Sequence, residues 1–365
     1  MLFIHNDVVE EVLTMKDCIE VQERAFLQIP TGGAVQRPRT DMYVPCERDD
    51  GYYRWGTMEG ANEGILAIRM KSDVMVWPTD AAGEWRESKY CIRPGTFFGL
   101  ILLMSTRNGE PLALINDGVL QHMRVGGGAG IGARSLSRQN ASTVGVLGSG
   151  GMARSFLEAF CAIRPIQRAN VFSPTSINRN RYADEMSRKL SIEVVPVASA
   201  REAIRGVDIL ATCTDSMSPT FEADWLEPGM HVTMLSNPEV SQEVLDRCDI
   251  KIRQGIRSRA STSDSIIAEP RQVAGTYMAG TDEERKRVPP RAMEVAVGAD
   301  FPDYYDLVSG KTPGREHDGQ ITFYHNTGNQ GVQFSAVGGL VYRRAKEAGL
   351  GREIPTEWFL QDIRN

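Results

Sequence analysis

Val144-Gly145-Val146-Leu147-Gly148-Ser149-Gly150-Gly151-Met152-Ala153 is the stretch that decides the fold of this chain. A short apolar run enters a glycine turn spelling G-x-G-x-x-A, and helical spacing begins where the glycines end, over 154–163. This is the pattern of the first βα turn of a dinucleotide-binding unit. Gly148 permits the tight turn, Gly150 lets the backbone approach a pyrophosphate, and Ala153 is small enough for helix and strand to pack closely. Ser149, Gly151 and Met152 complete the loop. The helix N-terminus adds unpaired N–H groups and a partial positive charge that suit phosphates. Glycine turns also occur without a nucleotide, and an emptied Rossmann scaffold is the competing reading.

The sequence that follows favours the nucleotide. Strand patterns at 169–173, 192–197, 207–213 and 230–235 alternate with helical patterns at 178–190 and 200–205, the progression of a doubly wound parallel sheet. Thr212, Cys213 and Thr214, where the third of these strands ends, join the candidate cofactor residues. The end of the strand at 169–173 bears on cofactor choice, because an NAD site usually carries Asp or Glu there for the ribose hydroxyls. This chain has Ser173-Pro174-Thr175, with Arg179 and Arg181 beyond. Hydroxyls and arginine suit a 2′-phosphate, so NAD(P) is expected with a lean to NADP.

Upstream, helical periodicity covers 7–28. An extended piece between prolines, 35–45, carries Arg39. Strands are predicted at 52–60 and 64–74, a polar flap-like excursion at 79–95, and a hairpin of 98–105 with 111–115 about Asn108-Gly109, a strong turn signal. Asp117 is the expected N-cap of a helix over 118–137 carrying Arg124 and the run Gly126-Gly127-Gly128-Ala129-Gly130. Each glycine costs about 1 kcal/mol against alanine in a helix. The run therefore implies close approach of another helix or of a ligand, with packing favoured. Residues 255–300 read as a solvated, irregular insertion, and a final helix is predicted over 331–348.

Composition narrows the class. The chain has 365 residues, 24% charged and 41% hydrophobic, enough for two domains with proper cores. Net charge of −6 argues against nucleic acid or an anionic membrane as partner. No apolar run approaches the roughly 18 residues of a membrane span, and the N-terminus lacks a signal-peptide pattern. Six scattered cysteines with no C-x-x-C read as reduced thiols of a cytoplasmic protein. No two histidines fall at ligand spacing, so no metal is expected.

Several segments, in order, resemble the ornithine cyclodeaminase/mu-crystallin family. They are Arg39 in its proline-flanked context, Lys71 before Val76-Trp77-Pro78, Gly109-Glu110-Pro111-Leu112-Ala113-Leu114-Ile115, Arg124 on its small-residue helix, and the glycine fingerprint. Leu226-Glu227-Pro228-Gly229-Met230-His231-Val232, Gly310-Lys311-Thr312-Pro313-Gly314-Arg315 and the end at 341–351 continue the series. The resemblance covers nearly the whole chain apart from 79–95 and 255–300. It implies a homodimer with a substrate-binding and dimerisation domain, 1–122 with 325–365, around a Rossmann domain, 123–324. It also implies a nicotinamide nucleotide and a small α-amino or α-imino acid. In the family, arginines matching Arg39 and Arg124 hold the substrate carboxylate and the lysine matching Lys71 handles protons; Arg69 is the second choice for that place. The chemistry agrees, since guanidinium forks suit carboxylates and a buried lysine beside arginines has its pKa lowered.

One departure matters. Cyclodeaminases resemble one another in an aspartate just after the strand matching 230–235, where this chain has Asn237 nearest. Asparagine hydrogen-bonds an amine but cannot accept its proton. The expected activity is therefore an NAD(P)-dependent oxidoreductase of the Cα–N bond, an imine reductase or amino-acid dehydrogenase, with Asn237 orienting the amine. A true cyclodeaminase recycling its cofactor is the alternative, and a non-catalytic binder of nucleotide and ligand is the third reading. Glu59 is a candidate for a second substrate amino group, against a plain surface carboxylate.

Overall fold

A computed structural model of the chain describes residues 1–79, 83, 86–93, 95–235, 239–255, 274–289 and 300–363. The N-terminal half runs β1 (Leu2–Ile4), α1 (Asn6–Val12), α2 (Met15–Gln28), β2 (Ala34–Gln36), β3 (Arg39–Pro45), β4 (Gly51–Asn62), β5 (Ile65–Val76), β6 (Ser88–Tyr90), β7 (Phe98–Ser105), β8 (Pro111–Asn116) and α3 (Asp117–Leu136). Then follow β9 (Thr143–Leu147), α4 (Gly151–Ile163), β10 (Arg168–Phe172), α5 (Ser176–Leu190), β11 (Glu193–Pro196), α6 (Ala200–Ile204), β12 (Ile209–Thr212), β13 (His231–Met234), α7 (Gln242–Asp246) and β14 (Ile250–Arg253). The chain ends with β15 (Ala274–Met278), α8 (Asp282–Arg285), α9 (Tyr304–Val308), β16 (Thr322–His325), α10 (Gln330–Glu347) and β17 (Arg352–Glu353). Among the described residues no helix is long and apolar enough to cross a membrane.

Two sheets result. The first has the order β15-β3-β4-β5-β7-β8-β1-β17, with β2 on β4 and β6 on β5. The second is parallel throughout, in the order β11-β10-β9-β12-β13-β16-β14. Its strands read as apolar runs because helices cover both faces: β12, β13 and β16 are buried at every residue. Strand order reverses beside β9, which opens a crevice at the carboxyl ends of β9 and β12 where such sheets take ligands. The first sheet alternates instead. On β4, which packs against α10, the even-numbered residues are buried and the odd-numbered ones from Tyr53 onward are only partly covered.

Three expectations change. The helix predicted over 7–28 breaks at Leu13-Thr14, where Thr14 accepts a hydrogen bond from the Asp17 N–H and caps α2. Asn116, not Asp117, caps α3 by accepting from the Gly118 N–H at 2.9 Å, which frees Asp117 for an ion pair. The 255–300 segment is not irregular throughout. Within it β15 adds a parallel strand to β3, and Thr281 and Glu284 form a capping box that opens α8.

The glycines of α3 serve helix packing. A Cβ on Gly126 would overlap the Ser155 backbone of α4, and one on Gly130 would crowd Ile19 of α2 and Ala159 of α4. Arg164 and Arg315 donate to the free carbonyls at the end of this helix, Arg134 O at 2.6 Å and Leu136 O at 2.7 Å. Gly132 meets the ring of fully buried Tyr324. Gly132→Ala is expected to lose about 1–3 kcal/mol by overpacking, although alanine gains about 1 kcal/mol in helix propensity. Denaturant unfolding checks this, and a neutral or stabilised variant would show that the ring yields freely.

Candidate active site

At the end of β9 the chain turns through Gly148, with φ +107°, where any Cβ would overlap the Cys213 carbonyl. Only glycine fits there. Gly150 is the opposite case: a Cβ would meet nothing within 4 Å, and no side chain caps the helix start at this residue. This open space lies at the start of α4, where a pyrophosphate would meet the first N–H groups of a helix. Arg154 braces the loop from behind, donating to Ser149 O at 2.7 Å and Gly150 O at 3.1 Å while pairing with Glu185. Met152 packs on the core and Ala153 is buried. At the end of β12 the Thr212 hydroxyl is buried with no partner among the described residues, and Thr214 is engaged by buried Glu239 through N–H and hydroxyl at 2.6 and 2.7 Å. Ser173 and Thr175 follow β10, and Arg179 folds back on them, donating to Ser173 O at 2.9 Å with its guanidinium 5.9 Å from the Phe172 ring.

The other half of the site is a face of the first sheet. Register places Asp41, Gly56, Lys71 and Gly99 side by side across β3, β4, β5 and β7. Both glycines make room for ion pairs. Asp41 and the Arg39 guanidinium lie over Gly56, with Arg39 Nε donating to Asp41 at 3.0 Å. Asp117 lies over Gly99 and receives Arg69 Nε at 2.8 Å. Lys71 thus stands between two arginine–aspartate pairs. One register step further, Tyr43, Arg54 and Asp73 align, and Asp73 receives Arg54 at 2.9 Å and Lys71 at 3.0 Å. Arg124 approaches from α3, donating to Gln333 at 2.9 Å and Gln121 at 2.9 Å, with its guanidinium 4.8 Å from the Phe334 ring.

The charges act on one another. Burial, then Lys89 and Arg54, push the Lys71 ammonium down to about 6, although Asp73 pulls the other way. Burial and Arg69 likewise weigh against the charge on Arg124, with Arg39 adding to the repulsion and Asp117 opposing it. Cations crowded this way gain most from a bound anion. Burial raises the Asp73 carboxyl, but Lys71, Lys89 and Arg54 together hold it below the usual carboxylate range.

Arg39 and Lys71 share one face of the first sheet, Arg124 on α3 lies within electrostatic reach of Arg39 and Arg69, and Arg69, the second choice, is held in an ion pair with Asp117. A Cβ on Gly151 would meet the His122 ring, so the turn of α3 that carries Arg124 abuts the nucleotide loop. Asn237 lies outside the described residues. Glu59 is on the outer face of β4, where Arg37 binds it, so strand alternation takes it away from Lys71. Sequence reasoning missed Arg54, Asp73 and Asp117. For Asp73 the available signal was its spacing from Lys71, two apart on a strand.

The chain matches the family model described as ornithine cyclodeaminase/mu-crystallin over residues 1–349. It belongs to that family. A Delta(1)-pyrroline-2-carboxylate reductase of Bacillus cereus is 27% identical over 355 residues, 97% of this chain and 99% of its own. An ornithine cyclodeaminase of Agrobacterium tumefaciens is 27% identical over 322 residues, 84% of this chain and 80% of its own. The solved structure of Thermococcus litoralis Delta(1)-pyrroline-2-carboxylate reductase in complex with NADH and L-proline aligns with TM-score 0.74 at 25% identity, covering 97% of this chain and 100% of that one.

Proposed function

We propose that the chain is an NAD(P)-dependent oxidoreductase of the Cα–N bond of a small α-amino or α-imino acid, working as an imine reductase. The observation that carries this is Lys71, a lysine of lowered pKa set between arginine pairs on a sheet face, with the turn of α3 that carries Arg124 against the glycine loop. Arg39 and Arg124 receive the α-carboxylate, and the Lys71 ammonium gives its proton to the imine nitrogen. When bound, the reduced nicotinamide supplies the hydride that Cα accepts as the C=N bond becomes a single bond. Asp73 holds Lys71 in place, and positioning of the reacting atoms supplies much of the rate. The same reading divides the chain into 1–122 with 325–365 and 123–324, corrected in that β15 (Ala274–Met278) joins the sheet of the first unit, and pairs it with a second copy. The exposed Met42, Val44 and Tyr277 on the β15–β3 edge suit that contact.

The test follows absorbance of the reduced nicotinamide with a panel of α-keto acids and amines. Consumption that requires both supports a reductase. Ammonia and proline from ornithine without net change in the nicotinamide would make the chain a cyclodeaminase, and binding without turnover of any pair would make it a carrier.

For the cofactor, residues 172–179 contain no acidic side chain to meet a ribose 2′-hydroxyl, which supports NADP over NAD. Arg179→Ala is expected to lower kcat/KM with NADPH by about 10-fold or more, the scale of a lost charge-assisted hydrogen bond, and to leave NADH nearly unaffected. Equal effects on both would show that Arg179 only braces the turn.

A further inference from the structure

Beyond Lys71 the same sheet face stays basic in a way that one substrate carboxylate does not use. Asp73 receives Lys89 at 3.6 Å in addition to Arg54 and Lys71, so three cations meet on one carboxylate. Lys89 comes from β6, in register with Met75, and its ammonium lies 4.9 Å from the Phe97 ring. Among the described residues Arg54 Nε and Trp77 Nε1 are buried donors with no acceptor. Trp77 follows β5 and packs with Tyr43, Tyr52 and Met75, and Tyr43 stands in register with Arg54. Of the other acids near Arg54, Asp41 is taken by Arg39 and Glu87 is exposed. Buried donors without acceptors are costly, and two on one face call for an acceptor that the described residues do not supply.

The direction along β5 gives these donors a meaning. Arg39 and Arg69 lie beside or before Lys71, whereas Arg54, Lys89 and Trp77 lie beyond it. A molecule whose α-carboxylate is held at Arg39 and Arg124, with its C=N bond at Lys71, extends its remaining group toward the second set. We propose that this group carries a second carboxylate: the substrate is an α-imino dicarboxylic acid, its distal carboxylate received by Lys89, Arg54 Nε and Trp77 Nε1. The second carboxylate sits either on the side chain or on the nitrogen substituent. A cationic side chain would meet Lys89 as a like charge, and an apolar one would leave both donors unmatched. This rests on the amino-acid reading of the site.

Calorimetric binding to protein saturated with reduced dinucleotide tests it apart from turnover, with L-alanine, L-aspartate, L-glutamate and N-carboxymethyl-L-alanine as probes. At least one diacid is expected to bind about 10–100-fold tighter than alanine, the scale of hydrogen bonds to charged groups. That ratio is expected to collapse in Lys89→Ala and in Arg54→Met. Preference for aspartate or glutamate places the second carboxylate on the side chain, and preference for the N-substituted probe places it on nitrogen. Alanine binding as tightly as every diacid, or a ratio that neither variant changes, would overturn the inference. Reduction of monocarboxylic imines alone would then leave the reductase reading standing. Conversely, a diacid preference without turnover of any imine would overturn the reductase reading and keep this one.

Discussion

Replacing Lys71 by methionine is expected to lower kcat for imine reduction by about 10²–10⁴-fold, the range of a lost general acid, with dinucleotide affinity unchanged. Methionine matches the length and keeps the apolar stem. Asp73 retains Arg54 and Lys89, so no carboxylate is left unpaired. The pH dependence carries the sharper test. With Lys71 titrating at about 6, its ammonium, the proton donor for reduction, disappears as pH rises through that value, and its free amine, the acceptor for oxidation, appears. Reduction kcat/KM should fall with rising pH there and amine oxidation should rise. The methionine variant should lose both inflections. Bound substrate carboxylate raises the lysine pKa, so kcat should turn over at higher pH than kcat/KM. Activity within about threefold of wild type, with the inflections intact, would put the proton elsewhere.

The cofactor half was legible because its determinants are local. Gly148, Gly150 and Ala153 sit within six residues, and each has a backbone reason that can be stated without the rest of the chain. The strands β4 and β5 and the β7–β8 hairpin were legible for the same reason, the strands from alternation and the hairpin also from its turn. The ion-pair system was not. Arg69 pairs with Asp117 from 48 residues away, and no periodicity links a β5 arginine to the first residue of α3. Asp117 was misread as a cap because Asn116 beside it has the same preference. The signals that did exist were glycines inside strands: Gly56 and Gly99 mark places where another group reaches the backbone, and those groups prove to be Asp41 and Asp117. The glycines of α3 gave the complementary lesson. Their cost announced close contact, but only tertiary structure shows that the partners are Ser155, Ile19, Ala159 and Tyr324 rather than a ligand.

Asp73→Asn is the second change with a large expected effect, and it separates fold from chemistry. The carboxylate is buried and opposes Arg54, itself buried, together with Lys71 and Lys89. An amide keeps the shape and removes the charge, leaving a guanidinium that cannot shed its proton. Losing one partner of a buried pair costs about 3–5 kcal/mol, read as a drop in the denaturant midpoint. Because the Asp73 carboxyl lies below its unfolded value, its contribution is fully present above the unfolded pKa and is lost as pH falls through the folded one. The gap between wild type and variant should therefore be widest near neutral pH and close in acid. A purely structural role ends there. Asp73 is also the group that opposes the lowering of Lys71, so its removal should move the reduction inflection below about 6, and a variant destabilised for other reasons would not show that shift. If Asp73→Asn does not fold, the double variant Arg54→Met with Asp73→Leu tests the same point, since exchanging a buried pair for apolar groups is often near neutral. Arg54 itself lowers Lys71, so the comparison is with Arg54→Met alone: the double variant, which also lacks Asp73, should show the lower inflection of the two. An unchanged inflection in Asp73→Asn, or equal inflections in the double variant and in Arg54→Met, would leave Asp73 a partner of Arg54 alone.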